Sequence, residues 1–219
     1  MSMGANSFSA RHGEYRTLII AVLGPLALGA AWFIHTNVWH FTTYSPSSYS
    51  DYYWPRRGGL IPHIAGGLLA ISAGLVQVWL GLTNQAGALH RALGKVYGAG
   101  VLLGSLGGYY MAISVPSKHF VYATGLFMLC TAWIITTSMA LFAIRRREIR
   151  QHRDWMLRSY TVTFAFVTFR LLGKLLTDRH VAPAEDVDAI MAWACWSVPL
   201  LIAEPLIQLP ALRRPAATG

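Results

Sequence analysis

Two stretches, "ALHRALGKVYG" (88–98) and "QHRDWMLRSY" (151–160), carry the same signature: a His-Arg pair standing immediately before a long apolar run. Positive charge at the mouth of an apolar run is how a helix enters a bilayer from its cytoplasmic side. The rest of the chain bears out that pattern. Its charged residues are bunched between apolar blocks, and they make up only 12% of the 219 residues against 54% hydrophobic. Soluble domains carry about 25% charged residues. Too little polar surface remains here to cover a globule.

A spanning helix needs about 20 mostly apolar residues. Six segments meet this, at roughly 17–38, 60–81, 93–115, 120–143, 159–176 and 188–209. None alternates with period two, and backbone groups in lipid must be bonded within the segment, so all six are expected to be helices. The expected fold is therefore all-α: a polytopic bundle of six transmembrane helices forming a single membrane domain over residues 1–219. The first segment has features of a secretory signal, with Arg11 and Arg16 before an apolar core and "ALGAA" at 27–31. Its apolar run continues through Trp32, Phe33 and Ile34, so an uncleaved anchor is expected.

Lys and Arg are retained on the cytoplasmic side. Twelve of the 18 basic residues fall at the N-terminus, the 2–3 loop, the 4–5 loop and the C-terminus. Four fall in the opposite loops, and Arg170 and Lys174 lie within segment five. Both termini are thus expected in the cytoplasm. Topology accounts for the net charge of +9 without a nucleic-acid partner. "IRRREIR" (144–150) is a topology signal that also suits anionic lipid headgroups. The outer 1–2 loop, "YSPSSYSDYYWPRRGG" (44–59), is rich in the rings that favour a membrane interface and reads as a lid-like interfacial loop. Cys130 and Cys195 sit inside segments and read as small buried apolar residues.

The histidines alternate in level. His63 opens segment two on the outer side, His90 precedes segment three on the inner side, His119 precedes segment four on the outer side and His152 precedes segment five on the inner side. Neutral imidazole is a good iron ligand, and helix bundles build cofactor sites from facing side chains. On this reading His63 and His119 clamp an outer b-type haem, and His90 and His152 an inner one. Arg91, Lys95, Arg153 and Arg158 then neutralise the inner propionates, and Arg170 the outer ones. Glycines at 100, 104 and 108, and at 67, 74 and 81, make small faces that admit either a neighbouring helix or a flat macrocycle; helix packing is the commoner cause. The predicted boundaries leave His90, His119 and His152 at segment ends, where an interfacial imidazole in contact with water is the plainer reading. An outer cluster of His35, His40, His63 and His119 is a further option for copper or zinc, although no short ligand spacing marks it.

The strings "HIAGGLLAISAGLVQVW" (63–79), "LHRALGKVYGAGVLLG" (89–104), "HRDWMLRSYTVTFAFVTFR" (152–170) and "AWACWSVPLLIAEPLI" (192–207) resemble the uncharacterised bacterial membrane proteins catalogued as domain of unknown function 2306, over about residues 60–208. That resemblance implies a place in the bacterial inner membrane and no particular activity. A looser resemblance is to cytochrome b561, which implies six helices and two haems held by four histidines on successive central helices, here His63, His90, His119 and His152.

Ionisable residues inside spans are functional hypotheses by default. Arg170, Lys174 and Glu204 qualify. Glu204 is expected either to take a proton or to pair, with Arg158 as the partner at matching depth. Three functions follow: a haem-b electron carrier serving a quinone or redox-protein partner; a small carrier or channel using Glu204, Arg170 and Gln77; or a scaffold subunit of a membrane complex. No nucleophile elbow, HExxH or phosphate loop suggests a hydrolase.

Overall fold

The computed structural model describes residues 21, 23–83 and 87–212, and no strand occurs among them. Helix α1 covers 23–33 and runs on as a π-helical turn, Ile34–Val38. It is followed by α2 (Pro46–Tyr53), α3 (Arg57–Leu82), α4 (Ala88–Ile113), α5 (Phe120–Arg145), α6 (Ile149–Thr163), α7 (Ala165–Asp178) and α8 (Ala184–Leu212). The start of the first predicted segment, its flanking Arg11 and Arg16, and Arg213 and Arg214 lie outside the described residues.

Helices α3, α4, α5 and α8 are each long and apolar enough to cross a membrane. Leu102, Leu106, Ile135, Leu201, Ile202 and Leu206 point outward from them, each more than half exposed. An apolar exterior of this kind is suited to lipid and not to water.

The fifth predicted segment differs from expectation. Its helix starts at Ile149, ten residues early, and is interrupted at Phe164, where ψ is −7°. The two pieces, of 15 and 14 residues, are each shorter than the roughly 20 residues a span requires. They nonetheless continue in one direction. Their partners on α5 step steadily back from Ala140 (to His152) through Thr137 (to Ser159) and Trp133 (to Thr163) to Tyr122 (to Phe169). Hydropathy hides the early start because "RQHRDW" is polar, yet its backbone is helical.

Neighbouring helices in the order α3, α4, α5, α6 run antiparallel, and glycine decides how closely. A Cβ at Gly66 would stand 2.2 Å from the Gly104 nitrogen, and one at Gly107 would stand 2.4 Å from the Gly59 oxygen. Backbone therefore meets backbone between α3 and α4. The 100/104/108 stripe is filled by α3 backbone, His63, Cys130 and the Trp133 ring, which lies 3.0 Å from the place a Gly104 Cβ would take; of the 67/74/81 stripe, Gly67 and Gly74 face the Phe166 and Tyr160 rings and Gly81 has nothing within 4 Å. The glycines serve helix packing, and α3 and α4 leave no slot between them for a macrocycle.

The α5–α6 turn is tight. Arg147 adopts φ 61°, the Glu148 N–H bonds the Ala143 carbonyl at 3.0 Å and the Arg147 N–H bonds that of Ile144 at 3.0 Å. This is the left-handed helix stop that glycine usually provides. It returns α6 at once along α5. On the opposite side, the 44–59 loop is ordered by its rings. Tyr49 is 3% exposed and packs edge-on to Phe41, Tyr44 and Trp54. Arg56 ties the loop to the end of α4 through the Ser114 carbonyl, at 3.0 and 3.2 Å.

Candidate functional site

His90 and His152 come together. They share one end of the bundle, within electrostatic reach of one another, and both stand deeper than the predicted boundaries imply. The His152 Nδ1 lies 2.9 Å from the Ala140 carbonyl, five residues inside the end of α5, or about 8 Å along the axis. The Gln77 amide donates to the His90 carbonyl, and Gln77 is likewise five residues inside the end of α3. A carbonyl only accepts, so the neutral His152 ring holds its proton on Nδ1 and presents the Nε2 lone pair. His90 Nδ1 is buried without a hydrogen-bond partner among the described residues.

His63 has a similar anchor. Its Nδ1 donates to the Gly104 carbonyl at 2.8 Å, and its ring packs edge-on to Phe166 with centroids 5.2 Å apart. His119 is not its partner. A Cβ at Gly108 would lie 3.1 Å from His63 Nδ1 and 2.5 Å from Cys130 Sγ, so Cys130 is the α5 residue level with His63. His119 precedes Cys130 by eleven residues, about 16 Å along a helix. His119 instead faces Glu185, with Nδ1 3.8 Å from Oε2. The proposed outer clamp is thus not assembled: the short 117–119 turn sets His119 at the very start of α5.

The other predicted residues divide. Arg91, Lys95 and Arg153 lie at the His90–His152 end, are exposed and make no ion pair among the described residues. Arg158 is committed elsewhere. Its Nε and Nη2 donate to Glu204 Oε2 and Oε1 at 2.8 and 2.6 Å, and its guanidinium covers the Trp155 ring at 4.8 Å. Arg158 is therefore a partner of Glu204 and not a propionate ligand. Glu204 also accepts from Gln208 at 3.0 Å, and α8 runs helical through Pro205. Arg170 stands at the other end, within electrostatic reach of His63 and Asp188. Gln77 packs against α4, Glu204 against α6, and Arg170 lies at the far end, so the three do not line one cavity. Among the described residues no three His, Cys, Asp or Glu side chains converge as a metal site; His40 stacks on Phe41 at 3.9 Å instead.

Between the two ends lies a group that the sequence reading passed over. Tyr97, Trp133, Thr137, Ser159 and Thr163 are all buried and joined by hydrogen bonds of 2.7–2.8 Å. Their signal was present. Trp133 and Thr137, like Ser159 and Thr163, are polar pairs four apart inside apolar helices, and Tyr97 follows His90 by seven. Such spacings put residues on one helical face.

The family model described as "Predicted membrane protein (DUF2306)" matches residues 60–207, and the chain belongs to that family. No curated protein and no solved structure matches it.

Proposed function

We propose that this DUF2306 membrane protein binds one b-type haem near the cytoplasmic face, between His90 and His152, and passes electrons to or from a quinone or a redox-protein partner. The supporting observation is the hydrogen bond from His152 Nδ1 to the Ala140 carbonyl. Metal-ligating histidines ordinarily give their second ring N–H to such an acceptor, which fixes the tautomer and aims Nε2 at the metal. His90, at the same end with a buried Nδ1 that has no partner among the described residues, supplies the second imidazole. The donor set fits the group: two imidazoles, with Arg91, Lys95 and Arg153 at the same end for carboxylates and in no ion pair among the described residues.

Each side chain then has a defined task. Gln77 holds the first turn of α4 through the His90 carbonyl. The Ala140 carbonyl orients His152. The tight turn at Arg147 keeps α6 against α5, so that His152 meets its acceptor. A haem held by His90 and His152 would supply one-electron transfer. The inner, cytoplasmic assignment of this end follows the excess of Lys and Arg there.

The test is the visible spectrum of the purified full-length protein, oxidised and then reduced with dithionite, beside His90→Ala and His152→Ala. Sharp reduced α and β bands that both variants lose support the site. A colourless protein, well folded after expression with ample haem, removes it.

A further inference from the structure

The end of the bundle opposite His90 and His152 has a charged mouth. Arg170 of α7 and Asp188 of α8 are both exposed there. Yet each sits on the packed side of its helix. Val167 and Gly173, three residues either side of Arg170, are buried, as are Met191 and Ala192, three and four after Asp188. Residues three and four apart share a helical face. Among the described residues the bundle is therefore open at this end, and two opposite charges line the opening.

They do not neutralise one another. Arg170 and Asp188 are within electrostatic reach but form no ion pair. The register gives the reason. A Cβ on Gly173 would lie 3.8 Å from Met191 Cγ, so these two residues are level. Helices α7 and α8 run in opposite directions. Three residues back from that contact, Arg170 lies about 4.5 Å inward and Asp188 about 4.5 Å outward. The side-chain hydrogen bonds of α7 belong to Thr168 and to Lys174 with Asp178. Among the described residues Arg170 has none; its guanidinium lies over the Phe169 ring at 5.6 Å. Other charges nearby are taken: Lys174 pairs with Asp178 at 2.9 Å, and Glu185, three residues before Asp188, faces His119.

Aromatic side chains wall the mouth. A Cβ on Gly125 would lie 2.8 Å from both Ala192 Cβ and Trp193 Cδ1. Helices α5 and α8 run in the same direction, so Tyr122, three residues before Gly125, is level with the turn that carries Asp188. Its ring meets that of Phe169 with centroids 6.4 Å apart. Phe166, one turn inward of Arg170, packs on His63 and closes the floor. Tyr52 and Tyr53 of the 44–59 loop stand within electrostatic reach of Tyr122.

A guanidinium in an apolar setting needs an anion, and its planar fork matches a phosphate. Here the cation is the inner charge and the carboxylate the outer one. A ligand that satisfies both turns its negative group inward and a positive group outward. An amine-bearing phospholipid headgroup presents that order from its own leaflet, with phosphate next to the acyl chains and ammonium toward water. The rings beside Asp188 also suit an ammonium.

We propose that this mouth binds a phosphoethanolamine group, its phosphate on Arg170 and its ammonium on Asp188 beside Tyr122. The group arrives either as the headgroup of an outer-leaflet lipid or as a free ester.

The test uses full-length protein in detergent, stripped of lipid. It is titrated with phosphatidylethanolamine, with phosphatidylglycerol of the same chains and with soluble phosphoethanolamine, and bound ligand is counted by native mass spectrometry. Wild type should prefer phosphatidylethanolamine to phosphatidylglycerol, which has the phosphate and lacks the ammonium. Arg170→Gln should weaken phosphatidylethanolamine binding about tenfold, the loss of one hydrogen bond to a charged group. Asp188→Asn should keep phosphatidylglycerol binding and lose the preference. Both side chains are exposed and in no ion pair among the described residues, so both variants should melt as wild type does. Soluble phosphoethanolamine that binds wild type and not Arg170→Gln identifies the free ester as a ligand; lipid binding alone identifies the headgroup. Wild type that does not distinguish the two lipids overturns the proposal, as does either folded variant that binds them as wild type does.

Discussion

Arg158 of α6 grips both carboxylate oxygens of Glu204 on α8, at 2.8 and 2.6 Å. A two-point guanidinium–carboxylate contact fixes direction as well as distance. It ties the last long helix to the helix that carries His152. Neither charge is left to lipid alone, which is the condition for keeping ions in an apolar setting.

Removing Arg158 should therefore hurt more than neutralising Glu204. Arg158→Ala leaves a carboxylate with only Gln208 to donate to it, and should cost roughly 2 kcal/mol, below the ~3–5 kcal/mol seen when a fully buried pair is broken. Glu204→Gln keeps an acceptor for Arg158 and should cost about half as much. Thermal unfolding of the two variants in detergent measures the order; melting temperatures equal to that of wild type in both would show that the pair contributes nothing.

Close approach of α3 and α4 makes Gly66 intolerant of any side chain. A Cβ there meets the Gly104 nitrogen at 2.2 Å, and backbone cannot step aside as a flexible side chain can. Gly66→Ala should destabilise by about 1–3 kcal/mol, the usual cost of overpacking. Gly81, with nothing within 4 Å of its Cβ position, is the control. Its alanine variant should match or exceed wild type in the same melt.

Arg147 occupies a left-handed conformation, φ 61°, at the stop of α5. A side chain in that region costs about 1–2 kcal/mol that glycine does not incur. Arg147→Gly should raise stability by roughly 1 kcal/mol, read as a higher melting temperature with unchanged far-ultraviolet circular dichroism. A lower melting temperature would mean that the Arg147 side chain contributes more than its backbone loses.

The proposed function gives one haem per chain, and His119 tests it against two. It faces Glu185 at 3.8 Å and is far from the level of His63, so His119→Ala should keep the full haem content of wild type. The pyridine haemochrome assay should return one haem per chain for both. Two per chain, falling to one in the variant, would restore the outer clamp.

Much of this arrangement is legible in the residues. The positions of α3, α5 and α8 follow from runs of apolar side chains, because a bilayer admits little else. The Arg158–Glu204 contact follows from depth alone, since 1.5 Å per residue places both in the same layer. The α6 boundary was not legible. Its first turns are polar, so hydropathy counts them as loop, while a helix continues wherever backbone bonds and a packed face sustain it. That difference moved His152 from a helix mouth to a depth of about 8 Å. The glycine stripes were visible as small faces, but a small face does not say what fills it; the antiparallel fit of α3 on α4 does.

The sequence by itself determined that this chain lives in lipid, that it folds as helices and which of its ends carry the positive charge. These are properties of solvent and of local composition, and they act on each segment separately. Only the tertiary structure decided which polar side chains meet. It set His90 and His152 at one end of the bundle and parted His63 from His119, and it drew Tyr97, Thr137, Ser159 and Thr163 into one chain. The physical reason is that a meeting inside a bundle depends on the rotation and level of two helices at once. Those are set by backbone contact at Gly66 and Gly107 and by the sharp turn at Arg147, features that no single segment contains.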